Sequence, residues 1–271
     1  MEKGKLLGRG VTAEVYEWGK DKVLKLYLEK YSNNEWVNHE TTVTKLVHQA
    51  GVDSPEVFEE IELDGRKGVI YERIVGKTIA ELMLTEPWNI YSYIHRVVVM
   101  QNNIHGFSSN GLPTQKERFT YMIKCSSYLL GNKVNRILTY VESLPEGCSI
   151  CHGDIYFNNV IESGKKLVAI DWNGAYIGNP NGDVAKTCLW LCSPSIPYGV
   201  PEIAAPFFYY PKWLTYNAYI NNYITLAGAK FEDIYAWLLP VAAARLKDNI
   251  PGERSWLMNI ISESLRKLEN T

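Results

Sequence analysis

Cys151-His152-Gly153-Asp154-Ile155-Tyr156-Phe157-Asn158-Asn159-Val160, followed at Val168-Ala169-Ile170-Asp171-Trp172 by a second acidic position, is the stretch on which the reading of this chain turns. Phosphoryl transfer needs a carboxylate that orients the attacking hydroxyl and accepts its proton. It also needs separate oxygen ligands for the magnesium that bridges the phosphates. Asp154 fits the first role, and Asn159 with Asp171 fit the second. The spacing Asp-x-x-x-x-Asn, with a further Asp ending a short apolar strand, is the order in which such catalytic loops present these groups. Asx residues also dominate ordinary turns, so Asp154 and Asn159 could form a polar turn with Asp171 capping the next segment. The added Asp171, His152 and Gly153, in this order, favour the chemical reading.

The segment resembles the aminoglycoside phosphotransferase and choline kinase group, relatives of the protein kinases whose catalytic loop begins His-Gly-Asp. The similarity continues through Ile170-Asp171-Trp172-Asn173-Gly174-Ala175-Tyr176-Ile177-Gly178-Asn179-Pro180-Asn181-Gly182-Asp183-Val184-Ala185. Tyr156 departs from the pattern, since many relatives carry a second His there. The resemblance implies an α+β, bilobal, protein-kinase-like fold, with ATP or possibly GTP and magnesium as cofactors and a small-molecule hydroxyl as acceptor. It also implies a structural role for Asp183, tied to the catalytic loop.

Residues toward the N-terminus support the same reading. Gly4 to Arg9, Ala13 to Trp18 and Lys22 to Leu28 read as strands, and Asn33 or Asn34 can cap a helix running to about Ala50. Glu56 to Leu63 and Lys67 to Ile74 flank an Asp64-Gly65 turn signal. In Leu7-Gly8-Arg9-Gly10-Val11-Thr12-Ala13, Gly8 and Gly10 permit close approach of backbone amides to a triphosphate, although the same residues make an ordinary hairpin. Lys25 lies inside an apolar strand and either faces solvent or enters the cleft to neutralise phosphates. By resemblance its carboxylate partner is Glu40, with Glu35 as a substitute. The connection Ile70-Tyr71-Glu72-Arg73-Ile74-Val75-Gly76 corresponds to the segment that holds adenine through its backbone, which places Glu72 and Ile74 at the nucleotide.

After Gly76 the pattern changes to long apolar periodicity at Trp88 to His105, Lys116 to Leu130 and Lys133 to Leu144, read as helices. Short strands at Cys148 to Cys151, Asn158 to Glu162 and Lys166 to Ile170 interrupt them. Helices resume from about Asp183, broken by the proline-bearing stretch Pro194 to Pro211. The expected division is a small β-rich lobe with one helix at 1–75 and a larger, mainly helical lobe at 76–271.

The bulk properties narrow the partners. Twenty-eight basic and 30 acidic residues in mixed order give a formal charge of -2, leaving no dominant field for a polyanion, so no nucleic acid is expected. The charged start and the short apolar window at Ile234 to Ala244 predict a cytoplasmic protein with no membrane partner. Five cysteines do not suggest a secreted disulfide framework, and Cys148-x-x-Cys151 with Cys188 and Cys192 is a weak candidate for zinc.

The acceptor is expected against the C-terminal helices. Tyr209, Trp213, Tyr216, Ile220 and Tyr223 recur at helical spacing, either as a core face or as an aromatic wall for a sugar or a cationic amine. An aminoglycoside would require convergent carboxylates, for which Glu202, Asp248, Glu253 and Glu263 are candidates. An amino-sugar or choline-like acceptor is the leading expectation. A protein kinase-like enzyme and a catalytically silent scaffold are the alternatives. Too few residues separate Asp171 from Asp183 for a long activation segment.

Overall fold

A computed structural model describes residues 3–195 and 205–270, at 205–211 by the backbone alone. Five antiparallel strands form the N-terminal sheet in the order β1-β2-β3-β5-β4: β1 (Leu6–Arg9), β2 (Ala13–Glu17), β3 (Lys22–Tyr27), β4 (Val57–Leu63) and β5 (Arg66–Glu72). Alternation along β3 sends Leu24 and Leu26 to one face, where they pack with Trp18 and Ile70. Tyr27 goes to the other face, with Val69 and Tyr71, against Val37 of helix α1 (Asn34–Gln49). Lys25 shares the α1 face, which resolves its direction: it points toward the helix and the cleft. Asn33 caps α1, its side chain accepting the Trp36 N–H at 2.8 Å.

The chain then crosses to the helical part. β6 (Lys77–Thr78) pairs with β8 (Val160–Ser163), which pairs in turn with β9 (Lys166–Ala169). Gly76 permits this crossing, because a Cβ there would lie 1.9 Å from the Glu162 carbonyl oxygen. The helices are α2 (Ile79–Thr85), α3 (Ile90–Ile104), α4 (Gln115–Cys125), α5 (Ser127–Leu130), α6 (Lys133–Ser143), α7 (Pro180–Cys192), α8 (Ala205–Ala227), α9 (Phe231–Tyr235), α10 (Leu238–Arg245) and α11 (Arg254–Glu269). They enclose one continuous apolar core that includes Ile94, Val97, Ile123, Ile137, Trp172, Tyr219 and Trp237. Burying each such large side chain contributes roughly 2 kcal/mol.

The α+β, two-lobed architecture agrees with the sequence reading, and two local expectations change. The helix expected from Lys116 to Leu130 breaks at Ser126, whose ψ of 11° leaves helical geometry. Pro211 does not end a helix: α8 runs through it from Ala205. Two short elements went unread, α2 and the strand β10 (Tyr176–Gly178), which pairs antiparallel with β7 (Ser149–Cys151). Cys148 and Cys192 are exposed whereas Cys151 is buried, so the four thiols do not form a zinc cage. Among the described residues no helix is long and apolar enough to cross a membrane.

Candidate active site

The site begins with two loops held against one another. His152, fully buried, donates through Nε2 to the Ile170 carbonyl at 3.1 Å and packs its ring 4.3 Å from Trp172. Burial lowers its pKa, in keeping with a neutral ring whose Nδ1 carries no proton. Gly153 has φ +75°, and a Cβ would meet the Gly174 carbonyl oxygen at 2.2 Å, so no other residue fits here without displacing the second loop. Asp171 adopts a left-handed conformation, φ 65° and ψ 62°, that Asp tolerates better than bulkier residues.

Asn159 and Asp171 flank one end of the β8-β9 hairpin. The Ile170 N–H bonds the Asn159 carbonyl at 2.9 Å, which fixes the two strand ends side by side. Asn159 is buried, and its Nδ2 donates to the Asp154 carbonyl oxygen at 3.1 Å. That bond assigns its Oδ1 as the atom suited to a divalent cation.

Across the cleft, Lys25 Nζ donates to Glu40 Oε1 at 2.5 Å and to Asp171 Oδ1 at 3.0 Å. Burial works against the ammonium, but the charges of Asp171 and Glu40 outweigh it and raise the Lys25 pKa. The same ammonium lowers the pKa of Asp171. Tyr71 donates its hydroxyl to Glu40 Oε1 at 3.3 Å, a bond that sequence spacing gave no means of seeing. Glu40, 3% exposed, is the partner of Lys25, and Glu35 lies exposed on the same helix.

Helix α7 braces residues 153–157, the candidate catalytic loop, residue by residue. Asp183 Oδ1 accepts the Gly153 N–H at 2.7 Å. One turn on, Lys186 Nζ lies 3.7 Å from Asp154 Oδ1, and Thr187 donates to the Ile155 carbonyl at 3.1 Å. Trp190 then sits 5.1 Å from the ring of Tyr156 and 6.0 Å from that of Phe157. Positions 183, 186, 187 and 190 form one helical stripe against residues 153–157. Asp183 itself is buried and accepts from Gln101 Nε2 at 2.9 Å, with His105 Nε2 at 3.0 Å. Burial would raise its pKa, but the His105 and Gln101 bonds hold it down to about 2. Gln101, His105 and Lys186 were missed in the sequence because their partners lie 82, 78 and 32 residues away.

The remaining candidates are placed as follows. Gly8 pairs with Val15, and Gly10 donates its N–H to the Ala13 carbonyl at 2.8 Å in an exposed hairpin. Glu72 ends β5 with its carboxylate accepting the Glu56 N–H at 3.3 Å, and Ile74 follows, half-buried, on the crossing segment. Tyr223 and Ile220 of the aromatic face are core residues, Tyr223 bonding His105 at 3.0 Å, whereas Trp213 is exposed. Tyr209 and Glu202 fall outside the described side chains. Glu253 does not serve as a free acidic wall: it is 1% exposed and held by Arg245 at 2.8 and 3.0 Å. Asp248 lies 3.6 Å from the same Arg245, and Glu263 is exposed on α11.

Comparison with known proteins bears on the fold and the family. The chain shares its fold with an aminoglycoside 3'-phosphotransferase of type VIII, at 16% identity and a TM-score of 0.58 over 91% of this chain and 92% of that one. Choline kinase from Cryptosporidium parvum Iowa II superposes with a TM-score of 0.58 at 14% identity, covering 99% and 89% of the two chains. An aminoglycoside phosphotransferase from Streptomyces rimosus, solved with ADP and streptomycin, gives 0.55 at 14% identity over 87% and 91%. In sequence, acyl-CoA dehydrogenase family member 10 of Mus musculus is 24% identical over 182 residues, 59% of this chain but 17% of that protein's length. The model of the phosphotransferase enzyme family matches residues 3–219, and the chain belongs to that family.

Proposed function

We propose that this phosphotransferase moves the γ-phosphate of ATP or GTP onto the hydroxyl of a small molecule, with Asp154 as the base. The observation that carries this reading is the position of Lys25, shared between Glu40 of the first lobe and Asp171 of the second. That bond gathers a phosphate-neutralising cation and a metal-binding carboxylate at one point in the cleft, beside the loop that presents Asp154. Solved relatives crystallised with ADP or GDP support a nucleotide as donor.

Asn159 and Asp171 form an oxygen donor set that fits magnesium, and they would hold it. The ion, when bound, supplies charge neutralisation to the phosphates. The chain does the rest. The turn that Gly8 and Gly10 permit, whose Gly10 N–H is taken by the Ala13 carbonyl, would bring its remaining backbone amides over the triphosphate, and Lys25 offsets its charge. The backbone of Glu72 and Ile74 holds the base. Asp154 orients the acceptor hydroxyl and takes its proton as the phosphoryl group transfers in line. In this reading residues 1–75 form the nucleotide lobe and 76–271 carry the catalytic loop and the acceptor site, in a cytoplasmic enzyme.

Asp154→Asn should keep the thermal stabilisation by magnesium-ATP, about 2.7 kcal/mol at a hundredfold excess over Kd. Its turnover should fall by about 10²- to 10⁴-fold. Asp171→Ala should lose the stabilisation itself. Undiminished turnover by Asp154→Asn in a coupled ADP-release assay would refute the assignment of the base.

A further inference from the structure

The charges around Asp154 say what sort of alcohol can approach it. Lys186 sits 3.7 Å from Asp154 Oδ1 and is 17% exposed. Arg118 of α4 is a half-buried guanidinium whose Nη2 donates to the Asn173 carbonyl at 3.0 Å. Burial lowers the Arg118 pKa, and Asp154 and Asp248 lie within reach of its charge. Among the described residues no carboxylate forms an ion pair with it at contact distance. A partly desolvated cation with no anion in contact is costly unless one arrives with a ligand.

The neighbouring carboxylates are already committed. Glu253 is clamped by the Arg245 fork, and Asp248 lies on the same guanidinium. Lys212 adds a further positive charge near Glu253, its Nζ donating to the carbonyls of Ser193 and Ser195 at 2.8 and 2.7 Å. Four cationic side chains, Arg118, Lys186, Lys212 and Arg245, thus stand around three carboxylates, Asp154, Asp248 and Glu253. Asp154 is the carboxylate of the three that the reaction uses. A polycationic acceptor would meet like charge here, with Asp154, Asp248 and Glu253 each facing a cation of the chain itself and Glu35, exposed on α1, a nearby carboxylate without an ion pair among the described residues.

We propose that the acceptor is an anionic alcohol, a hydroxy acid or a sugar phosphate, whose carboxylate or phosphate is taken by Lys186 and Arg118 while its hydroxyl meets Asp154. Lys186 stands on one side of the loop at Asp154, and Arg118 holds the Asn173 carbonyl beside Gly174, which abuts Gly153; an ammonium and a guanidinium at the same loop suit a carboxylate or phosphate. Lys186 and Arg118 then determine specificity, and Lys186 leaves Asp154 for the incoming anion. This inference rests on the phosphotransferase reading and deepens it.

Stabilisation of the protein by magnesium-ATP is measured first, because its absence would count against that reading and not against the acceptor's charge. Turnover is then followed by ADP release with two matched sets, glycerate, glycerol and choline, and glucose 6-phosphate, glucose and glucosamine, with kanamycin added. The same compounds are tested for thermal stabilisation of the protein saturated with magnesium-ADP. The expected result is a KM, or a binding midpoint, at least tenfold lower for an anionic member than for its neutral and cationic counterparts. Lys186→Met and Arg118→Met should lower the ratio of kcat/KM for the anionic member to that for its neutral counterpart at least tenfold, whatever loss the two share, and Lys186→Arg should restore most of that ratio. Preference for choline, glucosamine or kanamycin overturns the proposal, as does the absence of any anion-dependent turnover or stabilisation. An equal loss of kcat on every acceptor in Lys186→Met also overturns it, since that would place the ammonium on the transferring phosphoryl group.

Discussion

At the residue scale, Asp183 shows how a buried charge can organise a loop it does not belong to. Its two oxygens serve Gly153 on one side and Gln101 with His105 on the other, so the loop that presents Asp154 is hung from the helical core. The folded carboxyl titrates at about 2, against 3.8 for an unperturbed Asp. A depressed folded pKa contributes stability that is fully present above the unfolded value and is lost as pH falls through the folded one. The contribution is on the order of 2 kcal/mol. Asp183→Asn should therefore be less stable than wild type near pH 6, and the gap should close between about pH 4 and pH 2. Urea unfolding across that range checks the sign. Sequence alone could assign Asp183 a structural role by resemblance, but its partners Gln101 and His105 lie on α3 and at its C-terminal cap, and only the fold brings them together.

At the element scale, α7 acts as a splint for residues 153–157. The register of Asp183, Lys186, Thr187 and Trp190 is a property of the helix and not of any one contact. Trp190→Ala should leave the helix in place, because Ala is a good helix former, but should remove the ring beneath Tyr156 and Phe157. Loss of about 2 kcal/mol of stability and a turnover loss of about tenfold are expected, read by thermal unfolding and steady-state kinetics. The same scale shows what the sequence could disclose. The strands β1 to β5 and helix α1 were legible because alternation, an Asn cap and turn residues all agreed. The strand β10 has three residues and α2 has seven, too short for periodicity to register. Pro211 stands as the seventh residue of α8, where a proline removes one backbone donor and can kink a helix without ending it.

At the scale of the whole molecule, Lys25, Glu40 and Asp171 were readable as separate candidates, and their meeting point was not, since it depends on how the two lobes face each other. That relation is set by a very short crossing. Arg73 is anchored to the first sheet, its N–H on the Asp21 carbonyl at 3.0 Å and its guanidinium on Glu17 at 3.0 Å. Lys77 is already paired with Glu162 in the other lobe. Gly76→Ala would press a Cβ into the Glu162 carbonyl oxygen, so the crossing should lift off β8 at a cost of about 2 kcal/mol. The variant should also show a raised KM for ATP, because the segment carrying Ile74 moves with it. Denaturant titration and initial rates test the two halves of this expectation.

Between those two anchors stand Ile74, Val75 and Gly76 alone. Any swing of one lobe against the other must be absorbed by the torsions of this three-residue pivot. Immediately beyond it, β6 is paired with β8 of the hairpin whose ends Asn159 and Asp171 flank, so in the proposed reading these two oxygen donors would travel with the large lobe, and the distance that changes on opening would be the one to Lys25.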